Sequence, residues 1–143
     1  MIAEFRDYLK TLNVAEHYYI GKIVNSEEKS LGIYPNSPTR RVESIGKASS
    51  YGTFGVKLLL HWNKNAKEAE IQAHALFEAI RYITDTTMSH IEDTGDSTDE
   101  VVTTTVHVQY IDWNYDEPIF LGTDANGVYE YVITGVIYYR KEQ

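Results

Sequence analysis

The chain has 143 residues, a formal net charge of −8, 43% apolar residues and no cysteine. That length suits one domain whose core needs no staple, and the missing cysteine excludes disulfides, thiolate catalysis and cysteine-based zinc sites. The acidic balance works against tight binding to a nucleic-acid backbone, the opening MIAEFRDYLKTL is amphipathic rather than a secretory leader, and no apolar run approaches the roughly 20 residues that span a bilayer.

Ile2, Phe5, Leu9 and Leu12 recur at helical spacing and predict a short amphipathic helix over 2–12. YYIGKIV (18–24) reads as a strand, SEEKS (26–30) as a polar turn and LGIY (31–34) as a second short strand. PNSPTRR (35–41) holds two of the three prolines and reads as an exposed loop, with VESIG (42–46) as a third short strand or edge piece. YGTFGVKLLLHW (51–62) reads as a long strand whose LLL run points to burial on both faces. Its two glycines, in YGTFG, fit a bulge or bend better than a phosphate cradle.

Asn65 with Glu68 three residues on resembles a capping box, with Asn in place of Ser or Thr. Ala66, Ala69, Ala73, Phe77, Ile80 and Thr84, widened by Leu76 and Ile83, then predict a helix from about 66 to 84 whose alanine-rich half packs close to a sheet. EDTGDSTDE (92–100) is acidic and turn-rich. In VVTTTVHVQYIDW (101–113), Val102, Thr104, Val106, Val108 and Tyr110 alternate with Thr103, Thr105, His107 and Gln109, the pattern of a half-buried strand. PIFLG (118–122) starts on a proline and reads as an edge strand. VYEYVITGVIYYR (128–140) reads as a strand with two mostly apolar faces. The order of helix, strands, helix, strands gives an α+β fold: a single domain over 1–143, with a mostly antiparallel, mixed sheet and two helices packed on one face.

The signals for chemistry are weak. Asp124-Ala125-Asn126-Gly127 opens like a calcium loop, but Gly127 falls at the fourth position and Gly135 at the twelfth, where such a loop needs glycine sixth and glutamate twelfth. Asn-Gly before an apolar run fits a hairpin turn, either the two-residue kind or a slightly longer loop that includes Asp124 and Ala125. The acidic stretch 92–100 matches no cation-loop spacing and reads as a solvated loop. The five histidines, His17, His61, His74, His90 and His107, show no ligand spacing and read as surface or hydrogen-bonded side chains. No nucleophile elbow, phosphate loop or dinucleotide fingerprint is present. The reading is therefore a protein without catalytic, metal or cofactor-binding residues. Twelve tyrosines remain, a residue type enriched both in strands and at interfaces. By elimination the chain reads as an interaction or assembly protein.

Three stretches together resemble a known family: YIGKIVNSEEKSLGIYP (19–35), GVKLLLHWNKNAKEAEIQA (55–73) and PIFLGTDANGVYEYVI (118–133). They are similar to the minor capsid, or tail-terminator, proteins of long-tailed bacteriophages and prophages of Gram-positive bacteria. The resemblance runs from about residue 5 to 140. It implies a structural protein of the virion, made in the host cytoplasm and placed at the head–tail junction. There a six-fold ring of copies caps the head-proximal end of the tail tube, stops tube growth and joins the head connector. The implied partners are the chain itself, the tail tube protein and the connector or stopper, with DNA passing through the lumen without specific binding and no membrane. A head–tail connector or stopper is the near alternative; a small enzyme using carboxylates of the 92–100 loop, or a ligand-binding module, is the distant one. A two-sided apolar strand at 128–140 suits such a ring, with one face on the 66–84 helix and the other on a neighbour. The acidic charge suits a lumen through which DNA slides. The interface candidates are Tyr34, Arg40 and Arg41 in the first loop, Asp93, Asp96 and Asp99 in the acidic loop, and Trp113 and Tyr115 before the edge strand.

Overall fold

Helix α1 (Ile2–Thr11) buries Phe5 and Leu9 one turn apart, as the apolar spacing predicts. The computed structural model describes residues 1–36, 51–93 and 101–141. Strand β1 (His17–Ile20) is shorter than expected, because Gly21 takes a positive φ of 79° and Val24–Ser26 forms a single 3₁₀ turn. Strand β2 (Ser30–Pro35) and strand β3 (Gly52–His61) follow. The expected strand at 42–46 lies outside the described residues.

Helix α2 spans Ala66–Ile80. The Asn65 side chain accepts from the backbone N–H groups of Lys67 (3.1 Å) and Glu68 (3.2 Å), so it is the N-cap. The box closes differently from the expected pattern. Glu68 accepts from Asn63 Nδ2 at 2.7 Å, and Asn63 Oδ1 accepts from the Asn65 backbone N–H at 3.0 Å. The helix ends four residues before the predicted limit. Ile83 is buried from the turn after it, and Thr84 opens strand β4 (Thr84–Asp93), an element with no counterpart in the sequence reading.

Strand β5 (Val101–Trp113), strand β6 (Ile119–Thr123) and strand β7 (Tyr129–Lys141) complete one mostly antiparallel sheet. Its order is β1-β2-β3-β7-β5-β4, with β6 also paired to β7, and β1 with β2 is the one parallel pair among the described residues. β5 and β6 lie end to end along one side of β7. β5 covers its Gly135–Lys141 half, Asn114 N–H donates to Thr134 O at 2.9 Å, and β6 takes Tyr129–Val132. Residues 114–118 are thus an excursion within an otherwise continuous edge.

The registers sort side chains onto two faces. Leu31 and Ile33 of β2, Val56, Leu58 and Leu60 of β3, Ile133 and Ile137 of β7, Val106, Val108 and Ile111 of β5 and Met88 of β4 form one core. Phe5 and Leu9 of α1 and Ala73, Leu76, Phe77 and Ile80 of α2 belong to the same core, so both helices lie on this face. The β5 alternation changes phase at a register shift between Val108 and Tyr110, which turns Tyr110 out and Ile111 in.

Two expectations for β3 are corrected. Lys57 is exposed and Leu59 half-buried, so the strand is sealed on one face only. Its glycines mark no bulge, because the ladder with β7 runs unbroken from Gly52 to His61. The absence of a side chain at Gly52 makes room for the Tyr139 ring, which a Cβ would meet at 3.1 Å.

Candidate interaction surfaces

The sheet face away from the helices carries Tyr34, Tyr110 and Tyr138, while Tyr8, Tyr18, Tyr131 and Tyr139 pack against the core. Lys57 Nζ sits 5.4 Å from the centre of the Tyr34 ring, across one β2–β3 pair. Tyr138 stacks on Tyr110 at 4.6 Å with the planes 10° apart, and meets Tyr51 at 6.2 Å. Burial and the neighbouring Tyr138 and Asp112 push the Tyr110 phenol above its ordinary range. Leu59, Val132 and Val136 lie between these groups, each half-buried. One corner of the face is covered. There Ile23 packs over Gly32, where a Cβ would meet its Cγ1 at 3.2 Å.

That corner is fastened by His61, a buried side chain 3% exposed. Its Nε2 lies 3.1 Å from the Ser26 carbonyl oxygen and its Nδ1 lies 3.1 Å from Glu130 Oε2. Asp124 Oδ2 is 3.7 Å from Nε2. The ring therefore joins the end of β3 to the Val24–Ser26 turn, to β7 and to the hairpin between β6 and β7. In that hairpin Asp124 Oδ1 accepts from the N–H groups of Asn126 (2.9 Å) and Val128 (3.0 Å), and Gly127 has φ 83°. The loop is the longer of the two expected forms. The Val128 bond, with help from Asn126, His61 and Lys64, holds the Asp124 carboxyl below its usual range despite some desolvation.

Three more histidines face carboxylates. His90 Nδ1 is 2.6 Å from Asp7 on α1, His107 Nε2 is 2.6 Å from Asp85, and His17 Nε2 is 3.3 Å from Glu27, which also accepts from the Tyr19 hydroxyl. These are pairs, and among the described residues no group of three or more His, Asp or Glu side chains is arranged to hold a metal ion. Two hollows lie among the described residues. One, of about 540 Å³, is lined by Lys10, Asn13, Glu16, His17 and Tyr19 beside β1. The other, of about 280 Å³, lies between Met1, Glu4, Thr103, Thr105 and Lys141. In the second, Thr104 Oγ1 donates to Glu4 Oε1 at 2.7 Å.

The structure places three of the proposed interface side chains. Tyr34 lies on the open sheet face. Trp113 is turned inward: its ring meets Phe77 edge-on at 6.4 Å, and its Nε1–H donates to the Ile80 carbonyl at 3.3 Å. Tyr115 is exposed in the 114–118 excursion, which Asn114 pins by donating to Thr134 Oγ1 at 2.8 Å. Asp93 is the last residue of β4. Arg40, Arg41, Asp96 and Asp99 lie outside the described residues. The structure adds Tyr110, Tyr138 and Lys57 on the open face. It also adds an exposed pair on β6, Phe120 (53%) and Leu121 (54%), where Phe120 packs against the rings of Tyr129 and Tyr131. The strand alternation carried a signal for Tyr138, whereas the bulge that exposes Tyr110 left none.

No protein-family model, curated protein or solved structure matches this chain. No helix among the described residues is long and apolar enough to cross a membrane.

Proposed function

We propose that this chain is a phage tail terminator: a structural subunit that closes into a ring on the head-proximal end of the tail tube, stops its growth and receives the head connector. The observation that carries the reading is the open sheet face. Both helices seal one side of the sheet, while Tyr34, Leu59, Val132, Val136 and Tyr138 on the other are half-buried, with Lys57 and Thr134 among them. A subunit that completes its burial on a neighbour has this form, and tyrosine suits such a surface because it combines apolar area with a polar tip. The resemblance of residues 19–35, 55–73 and 118–133 to tail terminators supplies the kind of assembly. The ring is a heterologous contact that closes, and its copy number is the six of that family.

Polymerising tail-tube subunits with and without the purified chain tests the reading. A terminator arrests tubes at one end and leaves a ring visible there by electron microscopy. Unchanged growth, with the chain free in solution, overturns it. A chain that leaves tube length alone but binds purified heads is a connector or stopper instead.

A further inference from the structure

Both ring nitrogens of His61 face acceptors. The Ser26 carbonyl oxygen lies 3.1 Å from Nε2, and the Glu130 carboxylate lies 3.1 Å from Nδ1. A carbonyl never donates, and neither does an ionised carboxylate. A neutral imidazole carries one N–H, so it serves one of these partners and turns a bare lone pair on the other. The imidazolium donates to both. At 3% exposure the ring leaves little room for water to replace a missing partner.

The surrounding charges favour the same form. Asp124 Oδ2 adds a third acceptor at 3.7 Å from Nε2, and its carboxyl is held below its usual range chiefly by the Val128 N–H, so it is ionised at neutral pH. Lys64 acts on Asp124 from the segment after β3. Lys29, on the turn side, is taken up by Glu16 at 3.7 Å and by the Trp62 ring at 6.0 Å.

We propose that His61 is held as a doubly protonated imidazolium and acts as a pH-sensitive latch on the β6–β7 hairpin. Burial decides which contact opens when a proton leaves. The Glu130 side chain is 22% exposed and can turn to water, so Nδ1 gives up its proton and Glu130 lets go, while Nε2–H stays on the Ser26 carbonyl. Glu130 stands opposite Gly122 at the register shift of the β6–β7 ladder, so its hold acts where that ladder is already irregular. The unfolded chain gives up the same proton as pH passes about 6.5, the ordinary histidine value. The latch therefore contributes fully on the acid side, and its contribution is lost as pH rises further.

The inference does not rest on the tail-terminator reading. The full chain, labelled with nitrogen-15, is followed by NMR from about pH 5.5 to about pH 9, a span that brackets histidine titration. Both ring nitrogens of His61 should carry protons at the acid end, and Nδ1 alone should lose its proton as pH rises. Amides over 124–130 should then exchange about tenfold faster relative to those of α2, the loss of one hydrogen bond to a charged group. In Glu130→Gln the new amide donates to a bare Nδ1, so the hairpin should stay closed on a neutral ring and this pH dependence should vanish. A single N–H on the ring at every pH, loss of the Nε2 proton first, or the same exchange profile in parent and Glu130→Gln overturns the latch. The ring-nitrogen spectra of the unaltered chain keep the test decisive if the variant folds poorly.

Discussion

Gly135 is the point at which one added methyl group tests the packing most sharply. A Cβ there would lie 2.6 Å from Trp113 Cε3, 2.9 Å from the Asp112 carbonyl oxygen and 3.2 Å from Trp113 Cα. Two of these three atoms are backbone of the paired strand β5, where Trp113 faces Gly135 directly. The ring cannot swing away freely, because it sits edge-on to Phe77 and donates to the Ile80 carbonyl. Gly135→Ala must therefore splay the β5–β7 ladder or expel the indole from α2. Overpacking costs about 1–3 kcal/mol. An aromatic pair and a hydrogen bond lost with it add about 1–2 kcal/mol. The expected destabilisation is about 2–5 kcal/mol, which for a chain of this size lowers the melting temperature by on the order of 10 °C. Urea unfolding followed by tryptophan fluorescence measures it. Combining Gly135→Ala with Trp113→Leu should cost less than the two single changes summed, since the smaller side chain relieves part of the clash. A Gly135→Ala protein within about 0.5 kcal/mol of the parent, the range of an ordinary surface change, would refute the reasoning.

Three further outcomes follow from the caps and charge pairs. Asn65→Ala removes the acceptor for two helix N–H groups and should cost about 1 kcal/mol in chemical denaturation, with α2 amides exchanging faster. Asp7 is pushed up by burial but pulled further down by hydrogen bonds from His90 and Arg6, so its folded value lies below the ordinary 3.8. Its contribution is complete above that value and is lost as pH falls through the lower folded one. Acid titration should thus show Asp7→Asn less destabilised by acid than the parent, relative to each protein's stability at neutral pH. His61→Ala removes the buried ring that lies 3.1 Å from both Glu130 Oε2 and the Ser26 carbonyl oxygen and should cost about 1–3 kcal/mol. Hydrogen exchange should rise first over 24–30 and 124–130, the segments that His61 holds to the end of β3.

The elements that the sequence announces clearly are those whose local and tertiary signals agree. Asn65 and the stripe through Ala69, Ala73 and Phe77 set α2, and its predicted end overshot because Ile83 keeps the apolar spacing while serving the core from a turn. β4 stayed hidden for the opposite reason. Of the described side chains of TDTTMSHIED only Met88 is buried, and the strand is held by its ladder and by bonds such as Thr84 to the Gln109 carbonyl (2.9 Å) and Ser89 to Thr105 (3.0 Å). The density of threonine was the one available hint. Trp113 looked like a loop aromatic because nothing local reveals that Gly135 clears a seat for it across the sheet. The open face was partly legible, since strand 128–140 reads as apolar on both sides, but which side faces the helices depends on the β3–β7 register.

The central claim is that the chain ends tail assembly, and electron microscopy of a lysate from a phage or induced prophage with this gene stopped early tests it most directly. The account predicts overlong tails of variable length, detached from DNA-filled heads. Intact infectious particles with tails of normal length would contradict it.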